Sequence, residues 1–173
     1  LTRHLPQGIR FHVYTEEHRA VPSHMIKHCL SEWPGISGPK RSWWYKMQLF
    51  NPEHHSGNLL YFDLDCVIIN DISWIPQLST DYFWTIRDFR YLQGDQDYIG
   101  AVIAHPQRRN FEQKQLQSWR WQISEGGYDF SRRRPRKPGA PTIVGDETSI
   151  LVFHGKPKPH ECLKDPVVAM HWQ

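Results

Sequence analysis

Apolar residues in this chain fall into a few short runs set in a largely polar sequence. Leu59-Leu60-Tyr61-Phe62 and Ile150-Leu151-Val152-Phe153 carry no polar alternation, which suits strands covered on both faces. They predict strands over residues 59–62 and 148–153. Residues 9–15 (Ile-Arg-Phe-His-Val-Tyr-Thr) alternate apolar and polar positions, and residues 81–89 centre on Phe83-Trp84-Thr85-Ile86, so two further strands are expected. Helical spacing recurs over 42–50, at Trp43, Lys46, Met47 and Phe50. It recurs again over 106–124, where Pro106 suits a first turn and Phe111, Leu116, Trp119 and Ile123 would point inward. Residues 16–29 read as a loop with a short helix. Breakers punctuate the rest: Pro6 and Gly8, the segment 33–39, Asn51-Pro52, Pro76 within the loop and turn over 71–78, and Gly126-Gly127. Strands and helices interleaved in this way predict an α/β fold in a single domain spanning 1–173.

The strand expected over 59–62 runs into Asp63-Leu64-Asp65, then into more apolar chain. On a strand two carboxylates one residue apart project to the same side. There they repel each other and lose hydration, so they need a counter-charge or hydrogen bonds. A divalent cation with hard oxygen ligands supplies that charge. In an arbitrary sequence a D-x-D is more often a capped turn with a solvated neighbour, so the motif gains weight only from what accompanies it.

Composition narrows the field. With 173 residues and 39% hydrophobic content the chain can bury one real core. Eight Trp, seven Tyr and eight Phe point away from disorder and toward a carbohydrate-handling or a well-packed enzyme domain. A net charge of +3 does not argue for nucleic acid. The one dense basic run, residues 132–137 (Arg-Arg-Arg-Pro-Arg-Lys) in a loop over about 131–141, lacks the interleaved aromatics of a stacking platform. It reads as a solvated loop or as a peripheral contact with anionic lipid headgroups through Arg132 to Lys137. No apolar stretch reaches the ~18 residues of a membrane span. Cys29, Cys66 and Cys162 form no C-x-x-C pair, and suit reduced thiols in a cytoplasmic protein.

Three segments together resemble the GT-A glycosyltransferases, family 8 and its bacterial relatives in particular: Tyr61-Phe62-Asp63-Leu64-Asp65-Cys66-Val67-Ile68, then Gly94-Asp95-Gln96-Asp97, then His154-Gly155-Lys156-Pro157-Lys158-Pro159. The resemblance implies a nucleotide-diphospho-sugar transferase fold, Rossmann-like, with a mixed sheet flanked by helices. It implies transfer of a sugar from a nucleoside diphosphate sugar, most naturally a UDP-sugar, with retention, to a glycan, lipid or protein acceptor. Asp63, Asp65 and His154 would hold Mn²⁺ or Mg²⁺. Lys46, Lys156 and Lys158 would face the nucleotide-sugar and its diphosphate, and Asp95 and Gln96 the donor sugar. Against the family pattern, residues 1–5 read as the tail of a helix, so the fold's first strand is expected to be absent, as is a segment before Gly94 that shapes the acceptor side. Two other readings stand beside this one. One is a non-catalytic sugar-nucleotide-binding relative; the other, a metal-dependent nuclease or phosphatase, would need more carboxylates and leaves the second and third segments unexplained.

Overall fold

A computed structural model of the chain describes residues 9–29, 45–46, 49–50, 57–85, 103–129 and 131–172. The chain divides into two compact units, one built from Leu60–Arg90 and Pro106–Gln173, the other from Pro6–Leu59 and Tyr91–His105. Strands and helical turns are mixed throughout the described residues, in small sheets, so the class is α/β.

The larger unit is organised around Ile150-Leu151-Val152-Phe153. Three of these residues form the strand β9 (Ile150–Val152), which lies between β3 (Cys66–Ile68), antiparallel to it, and β6 (Leu116–Ser118), parallel to it. Alternate residues of a strand face opposite sides. Leu151 and Phe153 accordingly join Val67, Trp119, Ile123 and Val168 in one core cluster, while Ile150 and Val152 join Ile72, Ile75 and Leu116 in another. This explains the unbroken apolar run, since neither face of β9 meets water. Helix α1 (Pro166–His171) supplies Val168 to the first cluster, and the short 3-10 turn Ile75–Gln77 supplies Ile75 to the second. Helix α1 starts at Asp165, whose carboxylate accepts from the amides of Val167 and Val168, with Pro166 in the first turn. Two pairings of two or three residues complete the described strands of this unit. β4 (Phe83–Thr85) runs parallel to β5 (Arg108–Asn110), and β7 (Tyr128–Asp129) antiparallel to β8 (Arg134–Pro135).

The smaller unit contains β1 (Phe11–Thr15) and β2 (Met25–Cys29), paired in parallel over five residues.

Several expectations are met: the strands at 9–15, 81–89 and 148–153 exist in part or whole as β1, β4 and β9, and the loop over 71–78 holds only a short turn. Others are corrected. Residues 59–62 form no strand; Leu59 and Tyr61 are about half exposed, and the strand begins after the carboxylates, at Cys66, because Val67 is the residue that fits against Leu151. Residues 106–124 are not one helix. They form β5, β6 and a single wide helical turn, Trp119–Ile123, because β9 needs a second partner strand and Leu116–Ser118 provides it. The inward residues are nonetheless those that the spacing named, with Leu116, Trp119 and Ile123 buried. Residues 25–29 are a strand instead of part of a loop and helix, paired to β1. In the expected helix over 42–50, residues 45–46 and 49–50 lie in tight helical turns, and Phe50 is exposed instead of buried; Trp43 and Met47 lie outside the described residues.

Candidate functional site

The two aspartates sit in a turn, not on a strand. The amide of Cys66 donates to the carbonyl of Asp63 at 3.2 Å, closing a four-residue turn over Asp63-Leu64-Asp65-Cys66. Strand alternation therefore does not set their directions; the turn presents them, with the Leu64 side chain almost fully in solvent at 93%. The Tyr61 hydroxyl donates to Asp63 Oδ1 at 2.7 Å.

β3 and β9 bring the D-x-D turn beside the Gly-Lys-Pro-Lys-Pro loop. Their ladder pairs Cys66 with Val152, and one more hydrogen bond, from the Phe153 amide to the Asp65 carbonyl at 2.9 Å, carries the alignment one step beyond the strands. The chain then leaves β9 through His154 and Gly155, whose φ of +73° is the left-handed region that glycine enters at least cost. It passes a cis Lys156–Pro157 bond and returns Lys158 to the turn. Lys158 Nζ donates to Asp65 Oδ2 at 2.6 Å across 93 positions of sequence. Short, charge-assisted bonds of this kind are among the stronger hydrogen bonds. The side chains are 38% and 27% exposed, so solvent screens the pair and its share of stability is small. Its importance is geometric: it joins two of the three motifs.

Lys158 is fixed from its own backbone as well. It precedes the 3-10 turn Pro159–Cys162, and its amide donates to Glu161 Oε2 at 2.6 Å. That amide bond, with the positive charges of Lys156, His160 and Lys158, holds the Glu161 carboxyl below the usual carboxylate range. The loop thus brings three basic side chains around one acid, with Lys156 exposed.

His154 is oriented by a different neighbour. Its Nδ1 lies 3.0 Å from Ser118 Oγ. Ser118 is buried, is level with Val152 in the β6–β9 pairing, and its amide donates to Gln122 Oε1 at 2.6 Å. Alternation along β9 puts His154 on the Val152 face and Phe153, level with Asp65, on the other. Among the described residues no three His, Cys, Asp or Glu side chains stand together as a metal-binding group.

Of the residues singled out from the sequence, Asp63, Asp65, Lys156, Lys158 and His154 therefore lie in one region of the larger unit. Asp65 and Lys158 are in direct contact, and His154 is held to one side by Ser118. Lys46 is half-buried and belongs to the smaller unit. Asp95 and Gln96 lie outside the described residues. Three participants were not foreseen. Glu161 could have been, since Pro159 followed by Glu161 after a loop residue is a helix-start spacing. Tyr61 could have been as well, since it stands two residues before Asp63 in the same motif; Ser118 could not, because tertiary pairing alone brings it to a histidine 36 positions away.

No helix among the described residues is long and apolar enough to cross a membrane. No known family model, curated protein or solved structure matches the chain.

Proposed function

We propose that this chain is a metal-dependent glycosyltransferase of GT-A type that moves a sugar from a nucleoside diphosphate sugar, with UDP-sugars as the natural donors, to a glycan, lipid or protein acceptor. The observation that carries the reading is the 2.6 Å contact of Lys158 with Asp65. It gathers a carboxylate pair and a lysine-bearing loop at one place, as a metal–diphosphate clamp requires.

Among the described residues no three His, Cys, Asp or Glu side chains stand together as a metal-binding group, so a divalent cation would have to draw its ligands in around it. The Lys158 ammonium holds Asp65 Oδ2 at 2.6 Å, and an arriving cation would have to take that oxygen from it. His154 has its Nδ1 against Ser118 Oγ, a neighbour of the kind that orients a metal-ligating imidazole. Asp63, Asp65 and His154 are the residues that would hold Mn²⁺ or Mg²⁺, and their mixed oxygen and nitrogen set favours Mn²⁺. A bound cation would act as a Lewis acid for the departing diphosphate.

The protein's own side chains do the rest. Lys156 and Lys158 offset the diphosphate charge, and Lys158 exchanges its bond to Asp65 for one to a phosphate oxygen as the donor arrives. Tyr61 orients the Asp63 carboxylate, and Ser118 orients the His154 ring. Asp95 and Gln96 are assigned to the donor sugar, Lys46 to the nucleotide-sugar, and the chemistry to retention of anomeric configuration. A cytoplasmic setting, with the exposed Arg132 and its basic neighbours touching an anionic membrane surface, completes the proposal.

The test is turnover. Release of UDP from a panel of UDP-sugars is followed with Mn²⁺, for wild type, Asp65→Ala and Lys158→Ala. Mn²⁺-dependent release that falls at least about a hundredfold in both variants is expected, since each removes a charge that stabilises the leaving group. Release that is unchanged in folded Asp65→Ala sinks the proposal. Mn²⁺-dependent UDP binding with no turnover on any donor would instead indicate a sugar-nucleotide-binding protein without catalysis.

A further inference from the structure

The second cluster of chemistry-bearing side chains lies in the smaller unit, on the β1–β2 pair. In this parallel pairing His12 is level with Ile26 and Tyr14 with His28. His12, Tyr14, Ile26 and His28 therefore share one face of the two-stranded sheet, and the two histidines are diagonal neighbours on it. His12 Nδ1 and His28 Nε2 are 2.8 Å apart. The ring planes are within 11° of parallel and the centroids 5.1 Å apart. A nitrogen–nitrogen distance of 2.8 Å is shorter than the ~3.5 Å at which atoms of two stacked faces touch. The rings consequently meet edge to edge, with one nitrogen of each aimed at the other. Tyr14 stacks on the face of His28, centroids 4.7 Å apart at 13°, and fixes that ring's plane. Both histidines are half-buried, and Ile26 beside them is exposed, so the pair is held by the sheet yet open on one side to water.

Two imidazole nitrogens converging on one point form either a shared N–H···N bond or a chelate. From this geometry we infer that His12 and His28 form a binding site for a borderline divalent transition metal, Cu²⁺, Ni²⁺ or Zn²⁺, with water in the remaining positions. Metal–imidazole bonds of about 2.0–2.1 Å are usual, and two such bonds at a right angle set their nitrogens about 2.9 Å apart, close to the 2.8 Å here, so both rings have to tilt to bring their lone pairs onto an ion beside the N···N line. The proton now shared between the rings moves to the far nitrogen of whichever ring carries it, by a change of tautomer, and both facing nitrogens then donate lone pairs. Imidazole is a favoured ligand for these three ions, and the order of affinity should place Cu²⁺ first. The site bridges two strands joined by residues 16–24, so a bound ion would clamp β1 to β2. It is independent of the glycosyltransferase reading.

The experiment is a thermal-shift titration of the full chain with Zn²⁺, Ni²⁺ and Cu²⁺, comparing wild type with His12→Gln, His28→Gln and the exposed control His24→Gln. An ion that binds only the folded form raises the midpoint in proportion to its occupancy. Wild type and His24→Gln are expected to rise together, and the other two variants to lose at least tenfold in the metal concentration needed. Equal stabilisation of all four proteins, or none of wild type, overturns the inference. Electron paramagnetic resonance of one equivalent of Cu²⁺ on wild type provides a reading that does not depend on how the variants fold. Two coupled imidazole nitrogens are expected, and a spectrum with one or none contradicts the assignment.

Discussion

Lys158 does two jobs at once, and they can be separated by substitution. Its ammonium reaches Asp65 while its amide anchors Glu161, so Lys158→Met removes the charge and leaves the backbone bond in place. The fold should survive with a loss within about 1 kcal/mol, as for an exposed ion pair, while Mn²⁺-dependent UDP binding should weaken at least tenfold. Unaltered UDP affinity in denaturant-verified, folded protein would contradict the assignment. Glu161 gives a pH signature. Its carboxyl lies below its ordinary value of 4.5, first because the Lys158 amide donates to it. A group depressed in the folded state contributes stability above its unfolded value and loses it as the pH falls through the folded value. Melting temperatures of wild type should therefore drop below about pH 4.5 more steeply than those of Glu161→Gln; parallel curves would deny the bond its role. Among the thiols, burial pushes Cys162 up, helped by Glu161 and Asp165, whereas Cys29 is exposed. Alkylation at neutral pH should label Cys29 well before Cys162, as peptide mass spectrometry would read directly.

At the level of elements, β9 and its partners hold the site together. Phe153 is fully buried, stacks on Trp119 with centroids 5.0 Å apart, and its amide ties the ladder to Asp65. Phe153→Ala should cost about 3–5 kcal/mol by chemical denaturation and weaken UDP binding with it; a cost below about 1 kcal/mol would mean that this face is not packed as described. Legibility from the sequence followed the same division. β9 was readable because burial on both faces leaves an unbroken apolar run, and β1 because alternation marks a strand with one more open face. The segment 106–124 misled because its buried residues, Leu116, Trp119 and Ile123, fall at spacings of three and four that a helix would also produce. The tertiary demand of β9 for a parallel neighbour decided in favour of β6. The D-x-D was found as a motif and misplaced as geometry: Leu59 to Phe62 look like a strand by composition, yet the strand that β9 selects starts at Cys66. Helix α1 went unread although Asp165-Pro166 carries both a cap and a first-turn proline.

At the level of the molecule, the Lys158–Asp65 contact brings together residues 93 positions apart, an anionic turn and a lysine-bearing loop. Asp63 and Asp65 supply the one, Lys156 and Lys158 the other, and His154 stands beside them on Ser118. A glycosyltransferase of this type has to bind a diphosphate here through a cation. Isothermal titration of the full chain with UDP, in the presence and absence of Mn²⁺, tests that requirement most directly. Saturable binding that tightens at least tenfold with Mn²⁺ and is lost in Asp65→Asn is the result expected. UDP affinity that is absent, or indifferent to Mn²⁺ and to Asp65→Asn, would contradict it.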